Sequence, residues 1–152
     1  EMELKGRAGE IMPHWFAASV PLNLRAALNI YRSQVETVPT PNNRLDGQQP
    51  WSGNLGADYR IVPWAVTLGT SLAYTPGYTT QQTEFQSLQL TRARALDAFA
   101  LWNFHPKASL RLSANNIRPL ENRSTAYFLP TDATATTRYG RTAYSLGLDM
   151  KL

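Results

Sequence analysis

Apolar residues recur at every second position along most of this chain, and that period decides which folds are open to it. From Leu22, the series Leu22, Leu24, Ala26, Leu28 and Ile30 alternates with Asn23, Arg25, Ala27, Asn29 and Tyr31. Successive side chains of an extended strand point to opposite faces, so strict alternation gives a strand with one apolar and one polar face. A helix would need apolar residues three and four apart.

The same pattern returns six more times. Met2, Leu4, Gly6 and Ala8 alternate with Glu1, Glu3, Lys5 and Arg7. Trp51 to Ile61 carries Trp51, Gly53, Leu55, Ala57, Tyr59 and Ile61 on one face, and Trp64 to Tyr74 carries Trp64, Val66, Leu68, Thr70, Leu72 and Tyr74. Leu96 to Phe104 is less clean, because Phe99 and Leu101 fall on the face opposite Leu96, Ala98, Ala100, Trp102 and Phe104. That assignment keeps Asp97 off the apolar side, where an unpaired charge would be costly. Leu110, Leu112 and Ala114 alternate with Ser109, Arg111, Ser113 and Asn115, and Tyr144, Leu146, Leu148, Met150 and Leu152 close the chain. Seven strands are expected, and no helix.

The connections alternate in length. Ile61-Val62-Pro63-Trp64 and Phe104-His105-Pro106-Lys107 are tight turns marked by proline, which cannot donate to a sheet ladder. Thr37 to Pro50, Thr75 to Phe85 and Pro119 to Tyr139 are long and polar. Short turns at one rim and long loops at the other is the layout of an outer-membrane barrel. The exception is Glu10 to Pro21, which falls at the short-turn rim yet is long and holds Pro13, His14, Trp15 and Phe16.

Composition narrows the chemistry. With no cysteine there is no disulfide framework, thiolate metal site or cysteine nucleophile. Charged residues are 17%, below the roughly 25% usual in soluble domains. The net charge of +4 is unclustered and gives no footprint for nucleic acid. No segment approaches the roughly 20 apolar residues of a membrane helix; the longest clean run is Phe16 to Val20. His14 and His105 each sit beside a proline in a connection and read as turn residues. Asp58 and Asp97 lie on polar faces with nothing to bring them together as an acid–base pair. There is no nucleophile motif and no phosphate-binding glycine loop. No catalytic, metal or cofactor residue is expected, and an enzyme is not expected. Arg92 and Arg94 share one face near the long-loop rim. They suit a solvated basic patch, with contact to lipopolysaccharide phosphates or a substrate path as the alternatives.

Two architectures share this pattern: a soluble sheet whose apolar face meets a core, and a membrane barrel whose apolar face meets lipid. Trp51 and Tyr59 lie near the two ends of one strand on its apolar face, and Trp64 and Tyr74 do the same on the next. Such pairs either fill a core or form girdles at the two membrane interfaces, and the girdle fits the spacing better. The alternation running to Leu152 also resembles the C-terminal signal read by the barrel-assembly machinery. That signal usually ends in an aromatic residue, where this chain has leucine.

Three segments narrow the resemblance. Leu45-Asp-Gly-Gln-Gln-Pro-Trp-Ser-Gly-Asn-Leu-Gly-Ala-Asp-Tyr59 resembles the late barrel of TonB-dependent outer-membrane receptors. So does Leu110-Arg-Leu-Ser-Ala-Asn-Asn-Ile117 with the stretch that follows to Asn122, and Gly140 to Leu152 is similar to the family's last strand. The resemblance implies a 22-stranded barrel filled by an N-terminal plug, of which residues 1–152 would be about the last third, without plug or TonB box. It implies a Gram-negative outer-membrane location and import of a siderophore, haem, cobalamin or glycan powered by TonB. Its implied partners are membrane lipid and lipopolysaccharide, the TonB complex through the plug, and the barrel-assembly machinery through the last strand. It also implies that the chain end and the turns at Pro63 and Pro106 face the periplasm. The opening Glu1-Met2-Glu3 accordingly reads as the start of a piece of a longer chain. Substrate-binding residues are not legible; the segments to look to are Asn42 to Gln49, Gln81 to Glu84 and Thr131 to Arg138. Two other readings stay open: a small self-contained outer-membrane barrel with a structural or adhesive role, and a soluble lipocalin-like sheet.

Overall fold

The computed structural model describes residues 1–128 and 130–151. The elements in chain order are β1 (Met2–Arg7), α1 (Ala8–Ile11), β2 (Leu22–Ile30), β3 (Trp51–Ile61), β4 (Val66–Thr75), β5 (Tyr78–Gln81), β6 (Gln86–Leu90), β7 (Ala93–His105), β8 (Ala108–Asn115), β9 (Asn122–Phe128), β10 (Asp132–Arg138) and β11 (Ala143–Met150). Seven strands form one antiparallel sheet in the order β1-β2-β3-β4-β7-β8-β11. These are the seven strands that the alternation marks out. Leu152, the last expected strand residue, lies outside the described residues.

The register carries the face assignment from strand to strand. Leu4 is opposite Ala26, Ala26 opposite Leu55, Leu55 opposite Leu72 and Leu72 opposite Leu96. Further on, Ala100 meets Leu112 and Leu112 meets Leu146. A slip of one residue in a strand would turn the apolar set of that strand to the other face, bringing Asn54 or Gly56 into the row at Leu55 and Arg111 or Ser113 at Leu112. The face chosen for Leu96 to Phe104 is correct: Asp97 is opposite Ser71 on the polar side.

The chain builds almost no core. Among the described residues, Ala8 is the only buried hydrophobic one, while Leu55, Leu112, Leu146, Leu148 and Met150 are all exposed on the apolar face. A large apolar side chain left in water forgoes roughly 1.5–3 kcal/mol. A sandwich or lipocalin-like barrel would cover this face with another part of the chain; among the described residues none does so. The sheet is open, with β1 and β11 at its edges.

Several expectations need correction. The chain does have a helix, the single turn α1, and Val62–Trp64 forms one turn of 3₁₀ helix rather than the start of a strand. Ala65 follows in the left-handed conformation (φ 50°), so β4 begins at Val66 and Trp64 sits in the turn. The largest correction lies in two of the long polar connections. Residues 75–85 contain β5 and residues 119–139 contain β9 and β10; with β6, which follows directly at Gln86–Leu90, they form a second antiparallel sheet in the order β10-β9-β6-β5.

The two sheets are in line. Each of four neighbouring main-sheet strands continues into a partner beyond a short break: β4 into β5, β6 into β7, β8 into β9 and β10 into β11. The lateral order β4-β7-β8-β11 therefore matches β5-β6-β9-β10. The distal sheet extends the loop end of the main sheet.

Candidate functional site

The break between the two sheets is tied by side chains. It runs through Pro76-Gly77, Thr91-Arg92, Asn116 to Glu121 and Tyr139 to Thr142. Asn116 is left-handed (φ 55°), a conformation asparagine tolerates better than most residues. Its backbone N–H donates to Asp97 Oδ1 at 2.7 Å, its side-chain amide donates to Arg141 O at 3.3 Å, and its carbonyl accepts from Thr142 Oγ1 at 3.1 Å. One asparagine thus ties β7, β8 and the approach to β11. Asp97, read from sequence as a polar-face carboxylate, is committed to this joint. A Cβ on Gly77 would lie 2.9 Å from Leu90 O, so the chain crosses too closely there for a larger residue.

Beyond the break, residues 31–50 fold against β5. Val35 N–H donates to Asn43 O at 2.7 Å, and Leu45 N–H donates to Ser33 Oγ, whose hydroxyl in turn bonds Gln48 Oε1. The loop reaches the distal sheet where Tyr78 Oη donates to Gly47 O at 2.9 Å and Gln81 N–H donates to Asn42 O at 2.8 Å. Thr80, between them, is fully buried. Burial pushes the Tyr78 hydroxyl above its usual range, the nearby Asp46 carboxylate adds to the rise, and Arg44 opposes it.

A hollow of about 490 Å³ opens here, lined by Gln49, Tyr78, Leu88, Leu90, Thr136 and Arg138 among others. That is the size of a small-molecule site, and its lining is mostly polar, with Leu88, Leu90 and Ala93 as the apolar part. Three segments singled out in the sequence converge here in part. Gln49 and Arg138 line the hollow, and Asn42 bonds Gln81 beside it. Asp132 to Arg138 is strand β10 rather than loop, and Glu84 lies in the β5–β6 turn away from the lining. Sequence reading missed Tyr78, Leu88 and Leu90; strands of four and five residues give too short an alternation to stand out.

The polar face of the main sheet has its own order. Arg25 Nη2 donates to Asp58 Oδ2 at 2.8 Å, and the guanidinium crosses Gly56. Phe99 lies over Gly69, its cross-strand neighbour, filling the space a side chain would take. Arg111 stacks on Phe99 with its guanidinium carbon 4.5 Å from the ring centre. Asp58 and Asp97 have separate partners and make no paired-carboxylate site. Among the described residues no cluster of His, Asp or Glu is arranged to hold a metal.

The apolar face is bordered by two rows of aromatics. Trp51 and Tyr74 pack at 5.5 Å at the loop end, and Tyr59, Trp64, Trp102 and Phe104 mark the turn end; Tyr144, opposite Ala114, is in register with Ala98 and Thr70 between them. Arg94 differs from its expected place. It sits opposite Tyr74, half-buried, and donates to Arg118 O at 2.8 Å, whereas Arg92 is exposed. His105, read from sequence as a turn residue, is instead the last residue of β7, paired with Ala108; its Nδ1 accepts from Lys107 N–H at 3.2 Å across the turn.

Residues 1–117 match the family model described as TonB dependent receptor-like, beta-barrel. The chain belongs to the TonB-dependent receptor β-barrel family. This is a family of outer-membrane receptors of Gram-negative bacteria, transporters rather than enzymes in general. No curated protein and no solved structure matches the chain. The matched region runs from β1 to the break after β8; β9, β10 and β11 lie beyond it, β9 and β11 pairing with β6 and β8 inside it and β10 with β9. No described helix is long and apolar enough to cross a membrane, so any crossing falls to the strands.

Proposed function

We propose that this chain is the C-terminal part of the barrel of an outer-membrane active-transport receptor, importing a scarce nutrient of the siderophore, haem, cobalamin or glycan class with energy from TonB. The observation that carries this reading is the uncovered apolar face, continuous across seven strands and edged by aromatics at both ends. Such a face suits lipid, and its opposite, carrying Arg25, Asp58 and Arg111, suits a wet or plugged lumen. The loop end then faces outward, and the hollow around Gln49, Tyr78 and Arg138 is where a ligand would first be held. Lipopolysaccharide is the neighbour of the basic rim at Arg92, the last strand is the contact for the barrel-assembly machinery, and TonB acts through a plug.

Disrupting this protein in its source bacterium and supplying each nutrient class in turn tests the reading. Uptake of one class should fall to background, and loss of TonB should reproduce the defect. Unchanged uptake of all four classes would overturn it.

A further inference from the structure

The connection between β1 and β2 is unlike its counterparts at the same end of the sheet. β3–β4 and β7–β8 turn in a few residues, whereas residues 8–21 form a compact foot. It is internally bonded: Met12 N–H donates to Ala8 O at 2.8 Å, Phe16 N–H to Met12 O at 3.1 Å and Val20 N–H to Ala17 O at 3.0 Å. Gly9 fixes the fold, since a Cβ there would lie 2.5 Å from Ala17 O.

Its composition is wrong for a loop in water. Of its side chains Glu10 and His14 alone can titrate, while Ile11, Met12, Trp15, Phe16 and Val20 are apolar. The Tyr31 to Pro50 connection at the other end carries Arg32, Glu36, Arg44 and Asp46 besides its amides. The foot also folds toward the apolar face. Ile11 lies against Gly6, where a Cβ would be 3.4 Å from Ile11 Cδ1. Ile11 and Met12 wall an apolar hollow of about 450 Å³ whose remaining lining includes Leu4, Leu24, Leu55 and Leu72. Trp15, at the outer side of the foot, is 83% exposed.

We propose that residues 8–21 are a membrane foot, seated in the headgroup–acyl boundary of the leaflet at the turn end of the sheet through Ile11, Met12 and Trp15. The proposal rests on the membrane reading above, because the foot continues the same apolar face. An indole with an apolar body and one N–H donor suits that boundary, and a segment of high apolar content with few charges lies in it rather than beyond it.

The test uses nitroxide labels on Trp15→Cys, Leu55→Cys and Asp46→Cys, each in the protein in native outer-membrane vesicles. Power saturation compares collision with oxygen, which concentrates in lipid, against a water-soluble nickel chelate. The label at position 15 should give an oxygen-to-nickel ratio close to that at 55 and severalfold above that at 46. A ratio at 15 matching 46, with 55 still in lipid, removes the foot and leaves the membrane reading standing. An aqueous ratio at 55 removes both. A label at 15 shielded from both reagents, or broadened by a second label nearby, identifies a protein neighbour or a second copy as the occupant and overturns the proposal.

Discussion

Four strands of the main sheet continue into the distal sheet, yet the two sheets are held together by different physics. The main sheet has strong contrast between its faces: Leu55 is flanked by Asn54 and Gly56, and Leu112 by Arg111 and Ser113. None of its described apolar-face side chains is fully buried within the chain, so its stability depends on what surrounds it. The distal sheet has little contrast. Along β10, Ala133, Ala135 and Thr137 face one side and Asp132, Thr134, Thr136 and Arg138 the other, so neither side carries a large apolar residue. What secures it is hydrogen bonding at its base and under the loop, through Asn116, Thr91, Gly47 and Asn42. A membrane rewards the first arrangement and has no part in the second.

That difference can be broken from either side. The largest effect is expected from a charge on the apolar face at mid-strand. Leu55→Arg should lower stability in a bilayer by about 2–4 kcal/mol, while Thr137→Arg on the distal sheet changes it by less than about 0.5 kcal/mol. Urea titration of the two variants in liposomes reads both; equal losses would erase the distinction. Next comes the close packing on the polar face. Gly69→Ala drives a methyl group into Phe99 and should cost about 1–3 kcal/mol, with much of the loss recovered when Phe99→Ala is added. Full additivity in that double-mutant cycle would mean the ring does not lie over the glycine.

The joint between the sheets should respond in a way that depends on backbone conformation. Asn116→Ala puts a Cβ residue without a polar side chain at φ 55° and should cost about 1–2 kcal/mol, whereas Asn116→Gly loses less. Exchange of the β9 and β10 amides should accelerate in the alanine variant while those of β3 stay protected; uniform change would contradict a local joint. The smallest effect concerns Tyr78. Its hydroxyl pKa is raised by burial, so the folded state holds the proton more tightly than the unfolded chain. Loop docking is therefore at full strength below the ordinary tyrosine range near pH 10, and is lost as pH climbs through the raised value. Tyr78→Phe should weaken docking by about 0.5–1.5 kcal/mol and flatten this alkaline dependence. Protease cleavage within residues 37–46, followed against pH, reports both.

The same contrast explains what could be read from sequence. Each main-sheet strand carries its face assignment in its own residues, and even the ambiguous Leu96 to Phe104 segment was settled by the cost of placing Asp97 among leucines. The turn prolines Pro63 and Pro106 marked one end. The distal strands were hidden because threonine, glutamine and alanine do not declare a face, and because β5 and β6 are only four and five residues long. The hollow at Gln49 and Arg138 was half legible: the loops were visible as polar stretches, but their convergence depends on a sheet the pattern did not reveal. The single turn α1 is fixed by the contact of Gly9 with the backbone of Ala17 and Ala18, a tertiary cause that no local propensity carries.

If the main sheet lies in a membrane, its two faces meet different surroundings, lipid on one side and lumen on the other. The described residues contain no cysteine, so single cysteines can be placed from position 51 to 61 and labelled with an environment-sensitive fluorophore in native outer membranes. Lipids carrying a quencher on the acyl chain should quench Gly53, Leu55, Ala57 and Tyr59 positions and spare Asn54, Gly56 and Asp58, a period of two along β3. Quenching that is uniform along the strand, or strongest at Asn54, Gly56 and Asp58, would contradict it.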